Sequence, residues 1–508
     1  MCGIAGFCNF KEDFEKNTDY WNFRLEKMRA VLAHRGNDAR GRYLKKHIGL
    51  SHSRLAIRDI LCGDQPMTRT HNGYEYTICY NGEIYNTDEL IPELSENGFV
   101  CSTTSDTEVI LYAYIHWGAD FVNRLNGIFA FAIWDAAKNR LLLYRDRVGV
   151  KPLFYAIRGD SLVFGSEPKA CFAHPAVKPE LDKQGLQELL AIGPAHTSGL
   201  SLFKDLFEVL PGHFMIYSRD GLHDETYWEL TSREHTESYQ DTVAHTRFLV
   251  EDAIKRQMVS DVPVCTFLSG GIDSSIVTAI AANYMNTRGK TLNTFSFDFK
   301  DNDRYFKANA FQPERDLPYV NRMLEEYETA HSYLECDENS LFKALFAAVD
   351  AKDMPGMTDV DSSLLYFCSL VSRKNKVALT GECADEIFGG YPWFYRKELL
   401  ERYGFPWSSD VAPRLALLRD DVGLELDLSG YQAFRYEESR SKAPLLYGEA
   451  GEDESRRIIG YLNIKWFMQT LLDRMDRTSM YSELEARVPF ADHRIIEYVF
   501  NVPWHMKY

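Results

Sequence analysis

The stretch that most constrains the fold runs from an apolar segment into paired glycines, an aspartate and two serines. Residues 262–268 are typical of a strand and residues 276–281 of a helix, and between them lies Ser269-Gly270-Gly271-Ile272-Asp273-Ser274-Ser275. Backbone N–H groups, serine hydroxyls and the positive end of a helix dipole form an anion site there, most naturally for phosphate. Asp273 would repel that anion unless a cation lay between them. The stretch therefore predicts phosphate with Mg²⁺, against the alternative of an ordinary strand-to-helix turn.

Length, charge and cysteine usage limit the function classes. A chain of 508 residues exceeds one typical core, so at least two domains are expected. No apolar run reaches the length of a membrane span, and no signal peptide is recognisable. The net charge of −17 disfavours a nucleic-acid partner, and the 10 scattered cysteines form no C-x-x-C pair that would suggest zinc. We expect a cytoplasmic protein that binds neither membrane nor nucleic acid. A homodimer is considered as its oligomeric state.

The chain begins Met1-Cys2-Gly3, so removal of Met1 would make Cys2 the N-terminal residue. An α-amine has a pKa near ~8, which allows it to act as the base for the neighbouring thiol. The alternative is that Cys2 is one more buried thiol, and Cys2 taken alone favours that interpretation. A nearby glycine permits close approach of a substrate and favours a functional role.

Many short strands with turns between them occupy residues 48–170, which predicts a layered sandwich. The clearest apolar runs are 128–134, 141–144, 153–155 and 162–164, and helices are expected near 20–33, 87–97 and 107–117.

Five segments of this half together resemble the glutaminase domain of class II glutamine amidotransferases: Cys2-Gly3-Ile4, His34-Arg35-Gly36-Asn37-Asp38, Ser53-Arg54-Leu55, Asn81-Gly82-Glu83 and Ser105-Asp106-Thr107. Singly, each has a plainer interpretation. Asn81-Gly82 is typical of a hairpin turn, and Asp106 of a helix N-cap.

The resemblance implies an N-terminal nucleophile hydrolase fold, an αββα sandwich, in which Cys2 attacks the side-chain amide of glutamine. It implies that the Asn81 side chain and the Gly82 backbone N–H form the oxyanion hole. By the same resemblance, Arg54 would bind the carboxylate of glutamine, and Asp106 with Glu83 its ammonium group.

The second half alternates strands with helices, as a parallel sheet requires. A polar segment at 231–240 predicts a boundary near 230, giving domains 1–230 and 231–508. Strands are expected at 292–297 and 377–380, the latter followed by Gly381-Glu382-Cys383-Ala384-Asp385-Glu386. Ligands bind beyond the carboxyl ends of such strands, so one metal bridging Asp273 and Asp385 is expected. The alternative for the acidic segment is a solvated loop.

With Leu484-Glu485-Ala486-Arg487-Val488-Pro489-Phe490, these motifs resemble the ATP-pyrophosphatase-type synthetase domain of glutamine-dependent asparagine synthetases. The resemblance implies a parallel α/β fold that activates aspartate with ATP as β-aspartyl-AMP, releasing pyrophosphate, before ammonia attacks. The substrates would be glutamine, aspartate and ATP, with Mg²⁺. Relatives continue past the position of Tyr508 with a basic tail, so we expect this chain to be cut short.

By the same resemblance, Glu382 would act on ammonia or the intermediate, Arg477 would offset charge on pyrophosphate, and Asp273 and Asp385 would hold Mg²⁺. The implied ATP contacts are Leu268, Ser269, Gly270, Gly271, Asp273, Ser274, Phe297, Thr380 and Gly381. We place substrate specificity at 354–363. The alternatives are an amidotransferase of this architecture with another carboxylate substrate, a non-catalytic nucleotide-binding regulator, and a sugar-phosphate amidotransferase, which would lack the phosphate loop.

Overall fold

The first half of the chain is built on two antiparallel sheets. A computed structural model describes residues 2–308, 314–408 and 410–507. The strands of this half are β1 (Gly3–Asn9), β2 (Ala39–Lys45), β3 (Ile48–Arg54), β4 (Met67–His71), β5 (Tyr74–Ile84), β6 (Gly127–Asp135), β7 (Arg140–Arg145), β8 (Phe154–Arg158), β9 (Ser161–Gly165), β10 (Phe207–Glu208), β11 (His213–Ser218) and β12 (Gly221–Thr226). One six-stranded sheet has the order β10-β8-β9-β1-β3-β2 and the other β12-β11-β7-β6-β5-β4.

The two sheets pack face to face, and each carries helices on its outer face. The helices of this half are α1 (Thr18–Ala30), α2 (Thr87–Glu96), α3 (Asp106–Trp117), α4 (Pro168–Phe172) and α5 (Lys183–Gln187). Ile4, Leu50, Ala132 and Leu143 share the core between the sheets. Apolar side chains of α1 cover the first sheet, and those of α2 and α3 cover the second. This four-layer arrangement confirms the predicted αββα sandwich.

The second half contains one parallel sheet among helices. Its strands are β13 (Val264–Phe267), β14 (Leu292–Phe299), β15 (Thr329–Cys336), β16 (Val377–Leu379) and β17 (Glu485–Arg487). The helices are α6 (Tyr239–Arg256), α7 (Ile272–Asn286), α8 (Asn302–Tyr305), α9 (Leu317–Glu326), α10 (Glu338–Lys352), α11 (Thr358–Val371), α12 (Ala384–Phe388), α13 (Pro392–Tyr395), α14 (Lys397–Leu400), α15 (Ala412–Leu415), α16 (Asp420–Leu426), α17 (Leu428–Ser441), α18 (Glu452–Leu462), α19 (Met468–Met480) and α20 (His493–Asn501).

The strand order of this sheet, β15-β14-β13-β16-β17, confirms the predicted parallel α/β fold. The chain builds outward from β13 in one direction and then, with β16, in the other. The order therefore reverses between β13 and β16, and ligands bind at such a switch point. The loops that follow these two strands carry the two sequence motifs singled out above.

Charged side chains buried at the junction connect the two halves. Asp476 of α19 accepts hydrogen bonds from Arg35 at 2.8 Å and from Lys151 at 3.0 Å. Arg487 of β17 lies 3.3 Å from Glu83 of β5. Each of these groups is almost fully buried, so the pairs are little screened by solvent. The boundary predicted near 230 lies between β12 and α6 and stays a prediction. Within the described ranges, no helix is both long and apolar enough to span a membrane.

Candidate active sites

Cys2 lies at the start of β1, buried between the two halves, with 8% of its surface exposed. Its backbone nitrogen donates to Asn81 Oδ1 at 2.9 Å, and its carbonyl oxygen accepts from Arg35 Nε at 3.0 Å. Gly3 allows this placement, because a Cβ there would lie 2.8 Å from Leu32 Cβ. Met1, whose removal would make Cys2 the N-terminal residue, lies outside the described residues.

Asn81 and Gly82 lie within β5 rather than in a turn, so the hairpin interpretation of this dipeptide is wrong. The Asn81 side chain is completely buried, and its Nδ2 has no hydrogen-bond partner among the described residues. A buried amide donor without a partner is costly unless a ligand completes it. Its Oδ1 is held by Cys2, so the free donor lies beside the nucleophile, as an oxyanion hole requires. At Gly82, a Cβ would lie 2.2 Å from Ile128 O, which explains the glycine.

Burial raises the pKa of the Cys2 thiol, and Glu485 of β17 adds to the effect. The Leu55 backbone N–H and the Arg54 guanidinium lower the pKa and stabilise the thiolate. The thiolate is the nucleophile, so Arg54 and the Leu55 N–H favour the reactive form of Cys2, whereas burial favours the neutral thiol.

The three residues expected to hold glutamine are Arg54 at the end of β3, Glu83 on β5 and Asp106 at the start of α3. Arg54 is engaged by the loop that follows β3, donating to Asp64 Oδ1 at 2.9 Å and to Asp59 O at 2.5 Å. Asp106 accepts from the Tyr80 hydroxyl at 2.8 Å and from Ile84 N at 3.0 Å.

The N-cap of α3 is Ser105, so the N-cap interpretation of Asp106 is wrong. Glu83 is paired with Arg58 at 3.1 Å. Burial, with Asp106 nearby, raises the pKa of Glu83 to about 8 and favours its protonated form. The arrangement therefore offers one cation, on Arg54, and two acidic side chains, Asp106 and Glu83, for a zwitterion.

Replacing Asn81 with Ala tests the orphaned donor. We expect kcat for glutamine hydrolysis to fall about 10²- to 10³-fold, because the developing oxyanion loses a preorganised hydrogen bond. Steady-state release of glutamate measures the change. Asn86→Ala is the matched control, since Asn86 bonds to the backbone of Arg124 and Asn126 away from Cys2. An N81A rate within a few fold of the parent would contradict the assignment.

The glycine-rich loop lies at the switch point of the parallel sheet. Ser274 Oγ accepts from Ser269 N at 3.2 Å, and the two hydroxyls lie 3.0 Å apart. Gly270 has φ +86°, and a Cβ there would lie 2.8 Å from Tyr319 Cβ, so only glycine fits. Helix α7 follows with Gly271 as its N-cap and no side-chain cap, which leaves its first N–H groups available to an anion.

The neighbouring strands bring the remaining predicted nucleotide residues to the same edge. Leu268, Ser269 and Phe297 line one cavity there, together with Asp298 and Tyr333. A Cβ at Gly381 would lie 2.8 Å from Ser274 N, so the loop after β16 packs directly on the glycine-rich loop.

Asp273 and Asp385 approach each other across this contact. Burial, with Asp385 nearby, raises the pKa of Asp273 to about 6. Two carboxylates facing one anion cradle fit Mg²⁺, which uses one or two protein carboxylates together with phosphate and water oxygens. In the described part of the chain, no group of three or more acidic, His or Cys side chains could hold a metal without such outside ligands.

Glu382 and Arg477 have different hydrogen-bond partners. Glu382 accepts from Arg474 at 3.0 Å at the start of the acidic loop. Arg477 is buried at the junction of the two halves, where it donates to Ala351 O at 2.9 Å and to Asp353 at 2.7 Å and lies 3.6 Å from Glu167. None of these partners belongs to the glycine-rich loop, and the buried Nη1 of Arg477 has no hydrogen-bond partner among the described residues. The predicted role of Arg477 at pyrophosphate stays a prediction.

Sequence reasoning missed the arginines that organise both sites. Arg35 bonds to Cys2, Arg58 and Arg487 pair with Glu83, and Arg474 pairs with Glu382. Arg35 and Arg487 lie inside motifs quoted above, which was an available signal. Arg58 and Arg474 carry no comparable pattern.

Comparisons with known proteins agree with this geometry. The Glutamine amidotransferase domain family matches residues 1–228, and the Asparagine synthase family matches residues 245–508. Asparagine synthetase [glutamine-hydrolyzing] 3 of Bacillus subtilis is 49% identical, over 100% of this chain and 82% of its own length. The chain belongs to the glutamine-hydrolysing asparagine synthetase family.

The chain is also similar to proteins with other names. Amidase chyE of Penicillium rubens is 30% identical, over 100% of this chain and 83% of its own length. The solved glutamine phosphoribosylpyrophosphate amidotransferase of B. subtilis, complexed with ADP and GMP, covers 66% of this chain and 81% of its own, at 15% identity and TM-score 0.35.

Proposed function

We propose that this chain makes asparagine from aspartate, using glutamine as the nitrogen source and ATP to activate the carboxylate. The observation that carries the proposal is the pairing of two sites in one chain. A buried cysteine beside an orphaned amide donor is suited to acyl transfer, and a switch-point phosphate loop with two carboxylates is suited to nucleotide chemistry.

At the first site, Cys2 Sγ attacks the side-chain amide carbon of glutamine. The C–N bond breaks, ammonia leaves with the proton taken from the thiol, and a thioester remains. Once Met1 is removed, the Cys2 nitrogen, which is bound to Asn81, becomes an α-amine placed to carry that proton. Asn81 Nδ2 and Gly82 N–H would stabilise the oxyanion, Arg54 the glutamine carboxylate, and Glu83 with Asp106 its ammonium group. Water then releases glutamate.

At the second site, an oxygen of the aspartate β-carboxylate attacks the α-phosphorus of ATP, and pyrophosphate leaves. We propose that the loop Ser269–Ser274 and Thr380-Gly381 hold the phosphates, and that Leu268 and Phe297 contact the nucleotide. Asp273 and Asp385 would hold Mg²⁺, which neutralises charge on the phosphates when bound. Ammonia attacks the acyl-adenylate, AMP leaves, and Glu382 takes the proton.

Incubation with glutamine, aspartate, ATP and Mg²⁺ tests the proposal. The expected products are asparagine, glutamate, AMP and pyrophosphate, with AMP formation dependent on aspartate. ADP in place of AMP, or AMP formation indifferent to aspartate, would overturn the assignment. Omitting Mg²⁺ should suppress AMP formation and leave glutamine hydrolysis intact.

The second candidate is an amidotransferase of the same architecture acting on another carboxylate. This candidate is supported by a relative that is named an amidase and is 30% identical over the whole of this chain. The specificity segment predicted at 354–363 overlaps α11, where buried Asp361 pairs with Lys352 at 3.5 Å. A panel of carboxylic acids assayed for carboxylate-dependent pyrophosphate release separates the two candidates.

We also propose a cytoplasmic location, which is supported by the free state of every cysteine among the described residues. The homodimer stays a prediction, which light scattering on the purified protein measures.

A further inference from the structure

Arg487 belongs to a motif to which the proposed chemistry assigns no role. It ends β17 at the edge of the parallel sheet, directly opposite Leu379 of β16. Its carbonyl oxygen accepts from Thr380 N at 3.0 Å, and Thr380 begins the loop proposed to hold the phosphates. The backbone of Arg487 therefore supports the first residue of that loop, and its side chain is not needed for this contact.

The side chain of Arg487 points to the first site. Its guanidinium is fully buried and donates from Nη2 to Glu83 Oε2 at 3.3 Å. Nε donates to Glu485 at 2.5 Å, and Nη1 donates to Gln257 O at 2.6 Å and to Val259 O at 2.5 Å. The guanidinium group of Arg487 thus has four hydrogen-bond acceptors, and one of them is Glu83, which is proposed to bind glutamine.

We propose that Arg487 is a positioning residue that orients the carboxyl group of Glu83 for the ammonium group of glutamine and connects it to Thr380 of the phosphate loop. The inference rests on the proposed function of both sites. An ordinary interface ion pair would stabilise the junction without affecting glutamine recognition, so the two roles can be told apart.

The charges around Glu83 show why it needs this partner. Burial, Asp106 of α3 and Glu485 of β17 favour the protonated form and raise the pKa of Glu83 to about 8, although Arg487 and Arg58 lower it. The hydroxyls of Tyr80 and Tyr85, whose pKa values are raised by burial first and also by Glu83, complete its polar surroundings. Without Arg487, Glu83 is left with Arg58 alone against burial and two carboxylates, and it takes up a proton at higher pH.

A second consequence follows from the backbone tie. Because Thr380 and Glu83 are both bonded to Arg487, we expect ATP with aspartate to change the affinity for glutamine. Such coupling is reciprocal in binding free energy. Loss of the guanidinium should remove it.

The test compares glutaminase and ammonium-dependent synthesis in the parent, Arg487→Met and Arg487→Lys enzymes. We expect Arg487→Met to raise KM for glutamine at least about tenfold at pH 7, since one partner of a buried charge pair is lost. The acid limb of kcat/KM for glutamine should move to higher pH, and the effect of ATP with aspartate on KM should vanish. Ammonium-dependent synthesis should stay within about threefold. Arg487→Lys, which keeps the charge without the fork, should give intermediate values.

The Glu83→Gln variant separates loss of the charge pair from a folding defect. It removes the interaction between Glu83 and Arg487 and leaves the bonds of Arg487 to Gln257 and Val259 in place. In that background, Arg487→Lys should change KM for glutamine by less than about twofold, whereas independent roles would multiply. Arg435→Lys, another buried arginine paired with carboxylates, is the control and should leave every glutamine parameter unchanged. An unshifted acid limb, or equal losses of the two activities, would overturn the inference. Absence of glutaminase in the parent would instead overturn the proposed function.

Discussion

Replacing Cys2 with Ala is expected to lower glutamine-dependent asparagine formation by at least about a thousandfold while ammonium-dependent formation continues. The thiol forms the thioester from which glutamate is released, and the Cys2 backbone is bonded to Asn81 of the proposed oxyanion hole. The parallel sheet with its phosphate loop lies in the other half and needs no thiol. Parallel assays with glutamine and with ammonium chloride measure the separation.

Cys79→Ala is the matched control for that experiment. Cys79 is also buried, lies two residues before Asn81 on β5 and is close enough to interact electrostatically with Cys2. It should keep both activities, because its thiol lies within the core between the sheets. Loss of both activities in C2A would show that the two sites are not separable and would count against the mechanism.

Replacing Asp273 with Asn is expected to give the opposite separation. Aspartate-dependent formation of AMP and pyrophosphate should fall by about 10²- to 10³-fold, because charge neutralisation at transferring phosphates is worth several kcal/mol. Glutamine hydrolysis should remain. The substitution preserves size and removes the charge that repels Asp385, so the fold should not be destabilised.

Asp241→Asn is the control for this variant, since Asp241 occupies the first turn of α6 as Asp273 occupies the first turn of α7. Asp241 is exposed and accepts a hydrogen bond from Ser238 Oγ at 2.7 Å, so its replacement should leave synthesis unchanged. The Mg²⁺ dependence of synthesis should move to higher concentration in D273N and not in D241N. An unchanged dependence in D273N would remove Asp273 from the proposed metal ligands.

Much of the fold was predictable because its local patterns are strong. The helices expected near 20–33, 87–97 and 107–117 are found at Thr18–Ala30, Thr87–Glu96 and Asp106–Trp117. The strand expected at 262–268 is found at Val264–Phe267. The turn expected from the Asn81-Gly82 dipeptide does not form, because both residues pair with β6 in the second sheet. Pairing between strands distant in the sequence determined the conformation there.

The sequence by itself determined the loop around Ser269 to Ser274. Its strand, glycines and helix are contiguous, and their conformations follow from local sterics and dipoles. Only the tertiary structure decided which side chains act across the two halves. It placed Arg477 between Glu167 and Asp353, and Arg487 between Glu83 and Thr380. Arginine side chains are long and pair with whichever buried carboxylate the packing presents, and that choice is made by contacts hundreds of residues apart in the chain.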